Sequence, residues 1–463
     1  MAQFSLSLTL LAAILAFMPI SVVAQPPPLD PAEQESVYRI LESINPDIPW
    51  RSLFTDDLCI SAPHGVVCDY FSDAATPHVT ELSFGYVSDY SPNPPCGSTS
   101  TLDPSLLPPL THLKKLFFYK CFTETKIPFP DFSQSKSSSQ KNYSSSLEEL
   151  VFVENPALFG PLNGKLGTLK RLRRLVLTGS NFSGGFSEDL GDLINLEQLT
   201  VSRNNFTGEI STNIFRNMKK LKILDLSGNG FNGSIPESVG NLTDLLKIDL
   251  SFNGFSGKIP EKLKGLKTLQ FLDLSYNRFG KFGLPLFLAE MPGLREVYLS
   301  GNLLGGQIPE IWSDLKGITG IGLSGMGLVG EIPKSMGLHL RNICYLGLDN
   351  NRLQGVVPKE FGDLEFVREL NLENNNLSGR VPFSQGFVSR LGGKLKMKGN
   401  VDLCIDEGLK SAKVMMVQLK VCRQKNVSET ALSYENSSPP RVHTWLFGFF
   451  FALLGVLFLL LSA

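Results

Sequence analysis

Between Leu147 and Asn375 the pattern L-x-x-L-x-L-x-x-N returns ten times. LEELVFVEN, LRRLVLTGS, LEQLTVSRN, LKILDLSGN, LLKIDLSFN, LQFLDLSYN, LREVYLSGN, ITGIGLSGM, ICYLGLDNN and VRELNLENN begin at Leu147, Leu172, Leu196, Leu221, Leu245, Leu269, Leu294, Ile318, Ile343 and Val367, steps of 24 or 25 residues. The x-L-x-L alternation makes a short strand with its leucines on one face. A single unit leaves those leucines exposed, and only stacking of successive units buries them. The closing Asn carries an amide that can bond backbone groups of neighbouring turns, so a ladder is expected along the stack. Ser180 and Met326 stand at two ladder positions. Serine can still donate a hydrogen bond; methionine cannot, which predicts local loosening at Met326.

A period in this range signals a leucine-rich-repeat solenoid. The expected fold is α/β, with about ten regular 24–25-residue repeats between disulfide-bonded N- and C-terminal caps. The chain of 463 residues then divides into a signal peptide (1–24), an N-terminal cap with a degenerate first repeat (25–128), a Ser-rich insertion (129–146), the ten repeats (147–390), a C-terminal cap (391–422), a glycosylated stalk (423–444) and a hydrophobic anchor tail (445–463). The sixth repeat, NRFGKFGLPLFLAEM, lacks the G-x-I-P found in its neighbours. A tolerated loop is the preferred reading there, a partner site the alternative.

The chain ends point to the cell surface. The apolar start closes on Val22-Val23-Ala24 and reads as a secretory signal peptide, with a signal anchor as the alternative. Eight N-x-S/T sequons, at Asn142, Asn181, Asn205, Asn232, Asn241, Asn376, Asn426 and Asn436, are glycosylation candidates. Of seven cysteines, Cys59, Cys68, Cys96 and Cys121 lie early and Cys404 and Cys422 late, as disulfides in an oxidising compartment would. Cys344 stands alone, a reduced thiol or an intermolecular bridge. The apolar run Trp445 to Leu461 spans about 26 Å as a helix. Behind Asn436-Ser437-Ser438 and a short polar spacer it reads as a glycosylphosphatidylinositol attachment signal or as a minimal transmembrane helix. Either reading places the protein on the outer face of the plasma membrane, membrane-anchored.

Charge and motifs exclude several classes. With 43 Lys+Arg against 44 Asp+Glu there is no bulk attraction for nucleic acid. H-E-x-x-H and G-x-S-x-G are absent, and the five histidines are scattered. Gly164-Lys165 and Gly257-Lys258 imitate a phosphate loop but lack the following Ser or Thr. Asp225, Asp249 and Asp273 form an acidic column that reads as a solvated surface ladder rather than a metal site. No enzyme, cofactor or metal is expected.

What remains is a surface. Ten strands at about 4.8 Å present a track about 45 Å long. The last variable position before each ladder residue gives Arg203, Gly228, Phe252, Tyr276, Gly301, Gly325, Asn350 and Asn374, and adjacent columns add Phe271, Arg295, Tyr298 and Tyr345. Aromatics and Arg are the residue types that anchor protein interfaces. Arg203, Phe252, Phe271, Tyr276, Arg295, Tyr298 and Tyr345 are therefore the candidate ligand- or partner-binding residues, with Phe252, Phe271, Tyr276 and Tyr298 expected as one cluster. Sequons Asn181, Asn205 and Asn376 share the position just after the ladder residue, which elsewhere holds Gly230, Gly254, Arg278, Leu303, Gly327 and Arg352. Those six positions form a glycan-free window.

Several stretches resemble known families. The N-x-F/L-x-G-x-I/V-P half-repeat, as in NGFNGSIPESVGNLTD and NNLSGRVP, resembles the plant-specific class of extracellular leucine-rich repeats. PWRSLFTDDLCISAPHGVVCDY resembles the plant N-terminal cap, which implies a Cys59–Cys68 pair; His64 stands where that family usually has Trp. LKKLFFYKC resembles a degenerate repeat with Cys121 at its ladder position, paired with Cys96, and LKMKGNVDLC resembles a last partial turn, with Cys404 joined to Cys422. ESVYRILESINPDIPWR, PNPPC…FFYKCF and RLGGKLKMKGNVDLC are similar to plant leucine-rich-repeat receptor-like proteins, above all the Piriformospora indica-insensitive proteins and Too Many Mouths-like co-receptors. That resemblance implies a kinase-less surface co-receptor that binds a secreted peptide or a microbial, including endophytic fungal, cue and signals through a leucine-rich-repeat receptor kinase. The alternatives are an inhibitor of microbial cell-wall-degrading enzymes, as the similar polygalacturonase-inhibiting proteins are, and a structural adhesion protein.

Overall fold

The computed structural model describes residues 27–61, 63–70, 76–85, 93–132, 146–411 and 419–423. The leader, residues 133–145 of the 129–146 insertion, nearly all of the stalk and the apolar tail lie outside them, and with them Asn142, Asn426 and Asn436, whereas Phe129 and Phe132 at the insertion's start are buried in the core. Among the described residues no helix is long and apolar enough to cross a membrane.

Each repeat contributes one strand to a sheet of fourteen. Ten of these, from Glu149–Val153 to Glu369–Asn371, come from the ten repeats, and the caps supply Val66–Tyr70, Pro77–Phe84, Lys115–Tyr119 and Leu395–Lys396. Only the first pair is antiparallel; every later pairing is parallel and holds the repeats in one register. Leu199, Leu224, Ile248, Leu272, Val297, Ile321, Leu346 and Leu370 are successive cross-strand partners. All eight are buried. A one-residue slip would turn that row to solvent, so the leucine spacing sets the register.

The asparagine ladder forms. Asn253 Nδ2 donates to Leu226 O at 2.9 Å in the preceding repeat and to Leu250 O at 3.2 Å in its own, while Oδ1 accepts from Phe231 N at 3.1 Å. Asn277 repeats this one turn on. At the two variant rungs the outcome reverses expectation. Ser180 Oγ is buried with no hydrogen-bond partner, because its one-carbon side chain stops short of the carbonyl that the longer Asn amide reaches. Met326 is not loosened. Its side chain is buried in the core, its N–H donates to Asn351 Oδ1 at 3.0 Å, and its carbonyl accepts from Gly305 N at 3.0 Å. Backbone groups close the rung that the side chain cannot.

The N-x-F/L-x-G half-repeat builds a second layer of strands, and the Pro that follows it opens a short helical turn. Pro236, Pro260 and Pro358 sit just before Glu237–Asn241, Glu261–Gly265 and Lys359–Asp363, where a fixed φ and a missing N–H cost nothing. Beneath these strands Phe182, Phe206, Phe231 and Phe255 stack with centroids 6.2, 5.9 and 6.3 Å apart. This second layer is divided. Seven strands run from Ile127–Pro128 to Arg278–Phe279, and five run from Val329–Glu331 to Lys420–Val421. Between them there is one isolated bridge, Gln307 to Val329. The gap begins in the atypical sixth repeat, where the G-x-I-P spacing is lost.

The caps close the leucine core. Helix Pro31–Ile44, capped by the Asp30 carboxylate on Ala32 N and Glu33 N, buries Val37, Ile40, Leu41 and Ile44. Disulfides join Cys59 to Cys68, Cys96 to Cys121 and Cys404 to Cys422, with Cα separations of 5.6, 4.8 and 5.0 Å. Cys344 is a free, half-buried thiol.

Candidate functional site

The face of the large sheet ends in a turn, which side chains close in the three L-D-L-S repeats. In L-D-L-S the Asp Oδ1 accepts from the N–H and hydroxyl of the Ser two residues on: Asp225 with Ser227 at 3.1 and 2.7 Å, Asp249 with Ser251 at 3.2 and 2.7 Å, and Asp273 with Ser275 at 2.8 and 2.5 Å. This local turn competes with extended backbone in those three repeats, while the residue before the ladder position enters the left-handed region in all ten. Lys120, Glu154, Gly179, Arg203, Gly228, Phe252, Tyr276, Gly301, Gly325, Asn350, Asn374 and Gly399 all have φ between +51° and +80°. The acidic column is thus not a solvated ladder. Its carboxylates are mostly buried turn-formers, with Lys247 Nζ 3.2 Å from Asp225 and 3.5 Å from Asp249. Burial pushes the Asp273 carboxyl above its ordinary range.

Glycine or Asn suits a left-handed position, and a bulky aromatic does not. Phe252 and Tyr276 nevertheless both sit at φ +53°. They are 56% and 53% exposed and stack on each other, centroids 4.4 Å apart and planes 17° apart. Arg203, in the same row, is separated from them by Gly228 and pairs with Glu154 at 2.5 Å.

The other predicted residues occupy different columns, so the expected cluster of four is two groups. Phe271 lies against Tyr298 at 5.7 Å, and Tyr298 against Tyr345 at 6.2 Å. These rings lie down over glycines. A Cβ on Gly320 would be 2.6 Å from Tyr298 Oη, and one on Gly347 would be 2.6 Å from Tyr345 Oη. Tyr298 Oη donates to Glu296 Oε2 at 2.7 Å. Burial, reinforced for Tyr298 by Glu296, raises both phenols, so they stay protonated donors. Arg295 falls outside both groups, on the edge preceding the strands, with its guanidinium over Gly317.

Asn181, Asn205 and Asn376 open strands of the second layer and are exposed, as are Asn232 and Asn241. Along the chain the buried ladder Asn277 separates Tyr276 on the strand face from exposed Arg278 on the sequon-bearing flank. The divided second layer also exposes Phe282, Leu286 and Leu303 at 61%, 64% and 66%.

One constellation escaped the sequence entirely. Glu33, His78 and His112, distant in the chain, present ligand-type atoms within 4.8 Å of one another. His78 Nδ1 lies 2.6 Å from Glu33 Oε1, and the two imidazoles stack with centroids 3.9 Å apart. Stacked rings aim their in-plane lone pairs along nearly parallel lines, which do not converge on one ion. The arrangement secures the N-terminal helix to the sheet, with Glu33 Oε2 also accepting from Val79 N at 3.1 Å.

A leucine-rich-repeat family model matches residues 220–242, 244–266 and 293–315. The chain is 35% identical over 157 residues to Piriformospora indica-insensitive protein 2 of Arabidopsis thaliana, covering 34% of each chain. It is 35% identical over 144 residues to the Arabidopsis protein TOO MANY MOUTHS, covering 31% of this chain and 27% of that one. The matches therefore span about a third or less of these relatives. Among solved structures, the complex of PEPR1 with AtPEP1 superposes with a TM-score of 0.60 at 24% identity, over 81% of this chain and 52% of that one. The Arabidopsis receptor kinase HAESA, solved with the peptide hormone IDA and the co-receptor SERK1, superposes with a TM-score of 0.50 at 27% identity, over 66% of this chain and 60% of that one. The fold is that of leucine-rich-repeat receptor ectodomains, and the sequence relatives are receptor-like proteins.

Proposed function

We propose that this chain, a leucine-rich-repeat solenoid with relatives among plant receptor-like proteins, is a cell-surface co-receptor. It binds a secreted peptide or microbial cue on its strand face and engages a leucine-rich-repeat receptor kinase. The observation that carries the reading is the Phe252–Tyr276 pair. Two bulky aromatics are held in a strained backbone region with half their surface in water. Strain of that kind persists where surrounding structure over-determines it, and it concentrates at binding sites. Rigid, exposed aromatics are also the side chains that give interfaces most of their energy. Phe271, Tyr298 and Tyr345 extend the surface, and Arg203 and Arg295 border it. HAESA, similar in fold, is solved with both a peptide and a co-receptor, which supports the same pair of partner types here. The membrane anchor belongs to this proposal, since its sequence signals lie outside the described residues.

The test is purification of the tagged full-length protein from gently solubilised native membranes, followed by identification of what accompanies it. A single-pass receptor kinase, lost when Phe252, Tyr276 and Tyr298 are replaced by Ala, supports the reading. Recovery of a secreted glycanase and no kinase refutes it.

A further inference from the structure

On the N-terminal side of the aromatic pair, repeats two to four carry a cluster of cations on the edge that precedes the strands. The segments LKRLRRL and MKKLKIL place Lys170, Arg171 and Arg173 in one turn and Lys219, Lys220 and Lys222 two turns later. Asn195 and Glu197 occupy the turn between. The side chains enclose a groove of about 270 Å³ lined by Glu148, Arg171, Arg173, Asn195, Glu197 and Lys220.

The inner wall is internally neutralised. Arg173 bridges Glu197 at 2.7 Å and Glu148 at 3.6 Å, and Lys222 reaches the other Glu197 oxygen at 2.8 Å. The outer wall is not. Arg171 forms no ion pair among the described residues, and Lys220 bonds only the neutral Asn195 Oδ1, at 2.8 Å. Asn195 lies low between them, its Nδ2 donating to Lys170 O at 2.8 Å. Two cations without counter-charge thus face each other across a polar saddle about two strand spacings, or about 10 Å, wide.

We propose that this groove binds an acidic oligosaccharide, a short run of uronate sugars. The sugar carboxylates pair with Arg171 and Lys220, the guanidinium offering the forked geometry that carboxylates prefer. The sugar hydroxyls donate to Glu148 and Glu197, whose oxygens retain acceptor capacity beyond their ion pairs. A ligand of negative charge alone would gain from the outer wall and nothing from the neutralised inner one, whereas a uronate carries both carboxylates and hydroxyls. All six lining side chains are charged or amide. An acidic peptide therefore finds no apolar pocket for an anchoring side chain. The whole chain has a net charge of −1, so nonspecific attraction of polyanions is not built in.

The experiment titrates the detergent-solubilised, glycosylated full chain by calorimetry with a decasaccharide of galacturonic acid, its fully methyl-esterified form, and a polyglutamate of matched charge. Binding of the free acid at low ionic strength, weakening with salt and absent for the ester, is expected. Arg171→Ala and Lys220→Ala should each weaken binding about tenfold, the worth of about 1.4 kcal/mol for a charge-assisted contact. The Arg171→Glu, Lys220→Glu double variant should abolish it. Both residues are exposed, so unchanged melting of the variants separates lost binding from lost fold; Lys281→Ala, on another flank, should bind as the wild type does. No binding by the wild type, full binding by the double variant, or polyglutamate binding as tightly as the sugar would each overturn the proposal.

Discussion

The left-handed row yields a test in which the usual ranking of two substitutions inverts. At an ordinary position Ala is preferred to Gly, because Gly loses about 0.5–1 kcal/mol more chain entropy on folding. Phe252 is held at φ +53°, where any residue with a Cβ costs roughly 1–2 kcal/mol. Phe252→Ala keeps that cost and removes the stack on Tyr276, worth about 0.5–1.5 kcal/mol. It should destabilise by about 1 kcal/mol. Phe252→Gly removes the same stack but relieves the backbone, so the losses and gains nearly cancel. The Gly variant should therefore unfold in urea about 1 kcal/mol later than the Ala variant, while both lose partner capture to the same extent. The comparison is internal, since the two variants share every lost contact of the ring. If Ala proves as stable as Gly, the backbone at 252 bears no strain, and the argument for selection of an exposed aromatic there collapses.

Other outcomes follow from the ladder, the caps and the charged columns. Asn277→Ala takes the Oδ1 acceptor from the N–H of Phe255 and one of two amide donors from each of the Leu250 and Leu274 carbonyls, which Asn253 and Asn302 still reach; a loss of about 1–3 kcal/mol by urea denaturation is expected. Ser180→Asn should supply the missing rung and add about 1 kcal/mol, measured the same way. Removing the Cys404–Cys422 bridge, which closes a separation of 18 residues, should cost about 3 kcal/mol, read as a lower melting temperature than that of the oxidised wild type. Glu369 is held below the usual carboxylate range by hydrogen bonds from Lys396 and Lys394. Its stabilisation is therefore present above the unfolded value of 4.5 and fades as pH falls through the lower folded value. Between pH 5 and 2, Glu369→Gln should flatten the loss of stability seen in the wild type.

The sequence was most informative where a single periodic constraint acts. The leucine spacing dictated strand, register and stacking together, so the ten repeat strands and the ladder were readable from L-x-x-L-x-L-x-x-N. Single-residue substitutions within the ladder were not. Whether Ser180 or Met326 weakens a rung depends on how far a side chain reaches and on which backbone amide can turn to replace it. The candidate face was half legible. Its residues could be listed, but a one-letter pattern does not separate the left-handed position of Tyr276 from the strand position of Tyr298. The two were read as one group. The position itself carried the missing signal, because the residue directly before the ladder position takes a left-handed backbone in all ten repeats, with or without an L-D-L-S turn ahead of it. Glu33, His78 and His112 were invisible for a simpler reason: a parallel stack brings together residues whose separation in sequence carries no motif.

The gap in the second layer gives the array a joint. In a linear stack each turn is stabilised only by its neighbours, so an interface whose second layer is reduced to scattered backbone hydrogen bonds and one bridge is where cooperative unfolding divides most easily. Amides flanking residues 280–307 should exchange with solvent sooner than those of the phenylalanine-stacked turns before them. The Phe252–Tyr276 pair lies on one side of this joint and Tyr345 on the other. A ligand lying across both would act as a splint, converting two semi-independent segments into one mechanical unit, so that its occupancy is legible in the stiffness of the solenoid as well as in its surface.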